Sequence, residues 1–244
     1  MRFFFESAST SKSLATAMGM CGMRHSAMPP SAVALAFLVF IAFFIARRHL
    51  PWTRARRKQK LRTLIVLGSG GHTAEMLASV ATLDARAYAP RIYVRAKTDA
   101  LSLARAIKFE RTFASGDDER DGAQGARYEE ISRAREVGQT WSSSAATTAR
   151  AFVEASALLV RVRPDVVLCN GPGTCVPIVF ACALARACGM SRMKVIYVES
   201  ACRARELSLT GRIVYHSRVA DTMCVMWESL ARRYPRCTFI GRVM

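Results

Sequence analysis

Leu64-Ile-Val-Leu-Gly68-Ser69-Gly70-Gly71-His72-Thr73-Ala-Glu75-Met76-Leu77 runs four apolar residues into a glycine-rich turn and then into an apolar-periodic segment. An unbroken apolar run of this length suits a strand buried on both faces. The glycines allow a sharp turn and close approach of another molecule. Thr73 is placed to cap the helix that follows. Strand, turn and helix start together form an anion site of free N–H groups and helix dipole.

The same alternation continues outward. Strands are predicted at Leu64–Leu67, Arg91–Arg95, Tyr128–Arg133, Asp165–Cys169, Lys194–Val198, Thr222–Met226 and Thr238–Gly241. Between them, helices are predicted at Thr73–Leu83, Thr98–Phe109 (capped by Thr98), Gly138–Val162, Cys175–Cys188 and Trp227–Tyr234, and residues 115–125 read as a mobile polar loop. Strands alternating with helices imply an α/β fold, a Rossmann-like parallel sheet with helices on both faces. Ligands of such sheets bind beyond the carboxyl ends of the strands. The turns Gly68–His72, Asn170–Thr174 and Glu199–Cys202 all fall there.

Upstream, Ala32–Ala46 holds 15 residues with no polar side-chain atom. Counted from Ser26 the segment has 21 residues, about 31 Å as a helix, enough for a bilayer core. Arg47-Arg48-His49 follows it, where a signal peptide would carry a small-residue cleavage site. The chain therefore divides into a disordered lumenal tail (1–25), one transmembrane helix (26–46), a basic juxtamembrane linker (47–62) and a cytosolic Rossmann-like domain (63–244). The linker carries eight basic residues against three before the span, which places the carboxyl-terminal domain in the cytosol. The same run suits an anionic leaflet.

Charge narrows the partners. The chain has 36 Lys and Arg against 18 Asp and Glu, a balance that favours anionic partners. Zinc-finger spacing, aromatic RNA-stacking motifs and a basic zipper are all absent, so nucleic acid is not expected. Eight cysteines without a C-x-x-C pair, and four scattered histidines, give no metal site. The glycine turn has Thr73 where a dinucleotide fingerprint needs its third glycine, and the next strand ends in Val94-Arg95 with no acid for a ribose. No Gly-Lys-Ser/Thr triplet occurs. No cofactor is expected.

What remains is a pyrophosphate or polar-headgroup site built from Gly68, Ser69, Gly70, Gly71 and Thr73, with His72 and Glu75 beside it. Asn170-Gly171-Pro172-Gly173-Thr174 is a second glycine turn opening a helix, with Thr174 as its cap. Arg133 and Arg135 share one face if extended and could grip phosphate. Glu199 and Ser200 follow a buried strand; the carboxylate orients a hydroxyl, acts as a base, or caps the next segment.

Gly-Ser-Gly-Gly-His-Thr-Ala-Glu-Met-Leu (68–77), Arg-Glu-Val-Gly-Gln (135–139), Asn-Gly-Pro-Gly-Thr-Cys-Val-Pro (170–177), Tyr-Val-Glu-Ser (197–200) and Leu-Ser-Leu-Thr-Gly (207–211) resemble the asparagine-linked-glycosylation-fourteen family. The resemblance runs in order from about residue 61 to the end. It implies the amino-terminal half of a GT-B glycosyltransferase and the membrane-anchor subunit of a two-part UDP-N-acetylglucosamine transferase. That enzyme adds the second N-acetylglucosamine to dolichol-pyrophosphate-N-acetylglucosamine on the cytosolic face of the endoplasmic reticulum membrane. The implied partners are a soluble catalytic subunit holding UDP-N-acetylglucosamine, the lipid-linked acceptor, and the enzyme attaching the first dolichol-linked sugar. By analogy with the fused bacterial peptidoglycan transferases, His72 is the general base and Glu75 orients it. Family likeness places the partner interface at Phe239, Ile240, Val243 and Met244. Two other readings remain: a catalytically inert membrane scaffold, and a membrane-bound nucleotide-dependent oxidoreductase.

Overall fold

A computed structural model describes residues 60–114, 126–134, 141–171 and 173–243. The predicted tail, the predicted membrane span, most of the basic linker, the 115–125 loop, Arg135 and Met244 lie outside the described residues. Among the described residues no helix is long and apolar enough to cross a membrane.

Among the described residues seven strands form one sheet: β1 (Thr63–Val66), β2 (Arg91–Ala96), β3 (Arg127–Ile131), β4 (Val166–Asn170), β5 (Lys194–Val198), β6 (Thr222–Val225) and β7 (Cys237–Phe239). Their order is β3-β2-β1-β4-β5-β6-β7, and every pairing is parallel. The described helices are α1 (Gly71–Ala81), α2 (Ala100–Ala114), α3 (Trp141–Val162), α4 (Cys175–Ala187), α5 (Leu209–Ser217) and α6 (Glu228–Arg233).

All four β1 residues are buried, as its apolar run implies. Side chains alternate across a strand. Leu64 and Val66 therefore enter one core with Leu158 and Leu159 of α3 and Ile178 and Val179 of α4. Ile65 and Leu67 enter the other with Met76 and Val80 of α1 and Ala106 of α2. Burying each large aliphatic side chain contributes about 1.5–3 kcal/mol.

The chain builds outward from β1 to β3, then returns to lay β4 on the other side of β1. Such a reversal opens a crevice between two adjacent strand ends. Here it separates the turns after β1 and β4.

Several local expectations shift. α2 starts at Ala100, and the residue at its start that bonds the first turn is Asp99, not Thr98: the Ser102 backbone N–H donates to Asp99 Oδ1 at 3.2 Å. The sequence reading placed no helix between β5 and β6, yet α5 lies there. Ser208 caps it by accepting from the Gly211 N–H at 2.9 Å, and Arg218 closes it at φ 54°. Gly211 in the first turn and β-branched Ile213 and Val214 lower its local helix propensity. Near the linker, Leu61 and Arg62 already belong to the domain: Leu61 N–H donates to Ala87 O at 2.7 Å and Arg62 N–H to Asp165 Oδ2 at 3.0 Å.

Candidate functional site

The turn after β1 is held open by Gly70, at φ 62° and ψ −119°. A side chain at that φ would be strained. Gly70 is also the residue preceding α1, so no side chain caps that helix and no acid lies in its first turn. Thr73 does not cap, contrary to expectation. It is buried within the first turn, its hydroxyl against Gly68 O and 2.6 Å from Ser102 Oγ. Ser102 Oγ in turn lies 2.6 Å from Asp99 Oδ2 and 2.9 Å from Gly68 O. The Thr73 hydroxyl donates to Gly68 O, and the Ser102 hydroxyl, with one proton to share among Asp99, Gly68 O and Thr73, ties the three together. The start of α2 thus braces the glycine turn.

One α-helical turn on, Glu75 is 3 % exposed. Its Oε1 accepts from the Ser200 hydroxyl at 2.8 Å and the Ala201 N–H at 3.2 Å, and its Oε2 from Asn170 Nδ2 at 3.1 Å. One carboxylate in the first helix thus reaches the turns after β4 and β5, 95 and 125 residues further along the chain.

This arrangement sets the chemistry of His72. Asn170 gives its amide N–H to Glu75, so its Oδ1 faces His72 Nδ1, 3.1 Å away. An amide oxygen only accepts, so Nδ1 carries the proton and the neutral ring keeps its lone pair on Nε2. His72 Nδ1 lies 3.5 Å from Glu75 Oε2, so Asn170 is the direct orienting partner. The His72 side chain is 35 % exposed, enough to meet a ligand. Gly171, at φ 58°, lies close to the ring; a Cβ there would sit 2.6 Å from His72 Cε1.

The other predicted residues fall into separate groups. Gly173 has open space around its Cα, and Thr174 precedes α4 but makes no side-chain cap. Glu199 is buried and serves the start of α5. Its Oε2 accepts from the Ser208 N–H and hydroxyl, both at 3.0 Å, and its Oε1 from the Ser200 N–H at 3.0 Å. Burial pushes this carboxyl up, against the opposing pull of those donors. Through these bonds Glu199 supports Ser208, the cap of α5.

Arg133 follows β3 at the sheet edge, two strands from β1, and is half-buried. Phe239 and Ile240, both partly exposed, lie at the opposite edge on and after β7, and Val243 packs against Val198, Cys224 and Met226. Past Ser200, a cavity of 430 Å³ is lined by Cys202, Arg203, Ala204, Arg205 and Glu206. Among the described residues no cluster of His, Cys, Asp and Glu could hold a metal ion.

Two features escaped the sequence reading. One is Asn170 as the partner of His72, since residues 98 apart in sequence meet only when β4 lies beside β1. The other is Arg105 of α2, whose Nη1 donates to Gly70 O at 2.9 Å. Nothing in its local sequence marks it.

A family model described as "Oligosaccharide biosynthesis protein Alg14 like" matches residues 63–243. The protein named UDP-N-acetylglucosamine transferase subunit ALG14 of Rattus norvegicus is 40 % identical over 214 residues, covering 88 % of this chain and 96 % of the relative. Its Homo sapiens counterpart is 37 % identical over 216 residues, with the same coverage, and that of Candida albicans 36 % identical over 211, covering 85 % and 90 %. Among solved structures, MurG of Acinetobacter baumannii matches with TM-score 0.46 and 19 % identity over 68 % of this chain and 41 % of that one. A UDP-N-acetylglucosamine 2-epimerase from Rickettsia bellii matches with TM-score 0.46 and 16 % identity over 76 % and 46 %. The chain spans less than half of either solved chain.

Proposed function

This chain belongs to the Alg14-like family of oligosaccharide biosynthesis proteins, and from that premise we propose that it is the acceptor-binding, membrane-anchoring subunit of a UDP-N-acetylglucosamine transferase. It forms the amino-terminal half of a GT-B enzyme. It takes dolichol-pyrophosphate-N-acetylglucosamine as acceptor and adds the second N-acetylglucosamine. A soluble partner subunit supplies the half that holds UDP-N-acetylglucosamine. Residues 26–46 anchor the pair in the endoplasmic reticulum membrane with this domain in the cytosol, and the basic linker rests on the leaflet. The complex docks beside the enzyme that attaches the first sugar.

The observation that carries this reading is the chain His72–Asn170–Glu75. It fixes one tautomer of a half-exposed histidine at the crevice between β1 and β4, with Nε2 free to take a proton. The acceptor hydroxyl gives its proton to His72 Nε2 as its oxygen bonds to the anomeric carbon of the donor sugar. UDP departs with the electron pair of the broken bond. The crevice orients the acceptor; the glycine turns let its diphosphate approach the backbone.

The test is His72→Ala in the reconstituted two-subunit complex. Turnover should fall about 10²–10⁴-fold, the usual contribution of a positioned general base, with the acceptor KM little changed. The chain without its partner should show no transfer. Undiminished turnover in the variant defeats the assignment and leaves a scaffold; full activity of the isolated chain defeats the two-part reading.

A further inference from the structure

We propose that Arg105 of α2 is the cation that binds the acceptor's diphosphate, a role that rests on the acceptor-binding reading above. The sequence looks to Arg133 and Arg135 for this charge. Arg133, however, follows β3, two strands from the glycine turn, while Arg105 touches that turn directly through Gly70 O.

Three observations converge on this residue. First, among the described residues no cation hydrogen-bonds the buried Glu75 that ties the turns together. The donors on buried Glu75 are the Asn170 amide, the Ser200 hydroxyl and the Ala201 N–H, all neutral. A cation from another element would add charge-assisted bonds to a diphosphate held at the glycine turn.

Second, Arg105 is uncommitted. Arg91, Arg95, Arg150, Arg161 and Arg186 each pair with a carboxylate, whereas no described carboxylate forms an ion pair with Arg105. A guanidinium has five N–H donors, and the Gly70 contact uses one. The side chain that carries the rest of the fork is exposed.

Third, Arg105 is held. The Gly70 carbonyl restrains a long side chain at the lip of the turn, so less rotamer freedom is lost when a ligand arrives. The brace of Asp99, Ser102 and Thr73 fixes the start of α2 against the same turn. An Arg–phosphate pair is charge-assisted and often bidentate.

The experiment uses the full chain in nanodiscs and a short-chain polyprenyl-diphosphate N-acetylglucosamine, with the polyprenyl monophosphate and UDP as separate probes. Arg105→Gln retains a donor for Gly70 O and removes the charge; Arg105→Lys retains the charge. Gln should weaken diphosphate binding roughly ten- to a hundredfold, the range for a charged hydrogen bond. Lys should stay within about threefold of the parent, and the salt dependence of affinity should flatten in Gln alone.

Equal binding by Gln and parent overturns the proposal while leaving acceptor binding intact. So does Lys binding as weakly as Gln, which marks a brace for the turn. Displacement of the lipid by UDP at matching affinity, abolished in Gln, assigns Arg105 to the donor and overturns it likewise. If the parent chain does not bind the lipid diphosphate, the acceptor reading falls and this proposal with it.

Discussion

Glu110 and Glu75 are both buried carboxylates, 5 % and 3 % exposed, and each gathers donors from distant parts of the chain. Around Glu110 the circle closes. Arg91 Nε donates to both its oxygens, at 2.9 and 3.1 Å, and Tyr93 OH donates at 2.7 Å. The other side of the guanidinium meets Ala85 O at 2.6 Å, with Phe113 stacked 5.1 Å away. Burial, with the adjacent carboxylate, pushes the Tyr93 hydroxyl far above its ordinary value, so it remains a donor. Around Glu75 the circle stays open: the chain of bonds passes through Asn170 to a histidine that reaches solvent. A closed network fastens α2 to β2. An open one stabilises too, but it also dictates where a proton sits at the surface.

The closed network should give the largest effect. Arg91→Met leaves Glu110 as an uncompensated buried charge, which costs about 3–5 kcal/mol. Thermal or urea unfolding measures this, and activity should fall only in step with the unfolded fraction. Pairing it with Glu110→Leu should recover much of the loss, because two apolar groups leave no orphan charge. A neutral single variant would remove the contrast with Glu75.

Glu75→Gln probes the open network and should do the reverse, with a modest loss of stability and a large loss of turnover. The Ala201 N–H is an obligate donor, so the glutamine oxygen must face it. The new amide then faces Asn170, which turns over to accept from it and offers its own N–H to His72. Nδ1 loses its proton to Nε2, and the free lone pair disappears from the crevice. Turnover should fall about a hundredfold, within the range of general-base loss. Nitrogen NMR of His72 should report the exchanged tautomer. An unchanged tautomer would show that Asn170 does not govern the ring.

Much of this domain is legible in one dimension. The apolar runs at Leu64 and Val166 announce buried parallel strands because burial on both faces leaves no polar alternation. The glycine turns are visible because Gly70 and Gly171 sit at positive φ, which few other residues tolerate. What escapes is whatever depends on strand order. Asn170 faces His72, and Ser200 faces Glu75, only because β1 and β4, and β4 and β5, are neighbours. Arg105 reads as an ordinary helical surface residue until β2 is laid beside β1. Residue type alone marks Thr73 and Thr98 as caps, but buried hydroxyl and carboxylate partners around Ser102 outcompete that local preference. α5 was missed because its signal is a cap at Ser208 supported from Glu199, a contact across the β5 turn.

Glu154 provides the smallest and sharpest check on this contrast between closed and open networks. It too gathers donors, the Ser132 N–H at 2.6 Å and hydroxyl at 2.8 Å, with Lys97 and Arg150 each at 3.2 Å, but its side chain is 25 % exposed. Slight burial pushes its carboxyl up, and the Ser132 donors and the two cations outweigh that, drawing it down to about 2. A depressed folded value means stability is present above the ordinary 4.5 and is lost as pH falls through about 2. The parent should therefore lose more stability than Glu154→Gln between about pH 5 and pH 2. Water screens a partly exposed group, so the difference should stay under about 1 kcal/mol. Urea midpoints across that range measure it, and parallel acid limbs in the two proteins would show that the donors around Ser132 order the chain without adding stability.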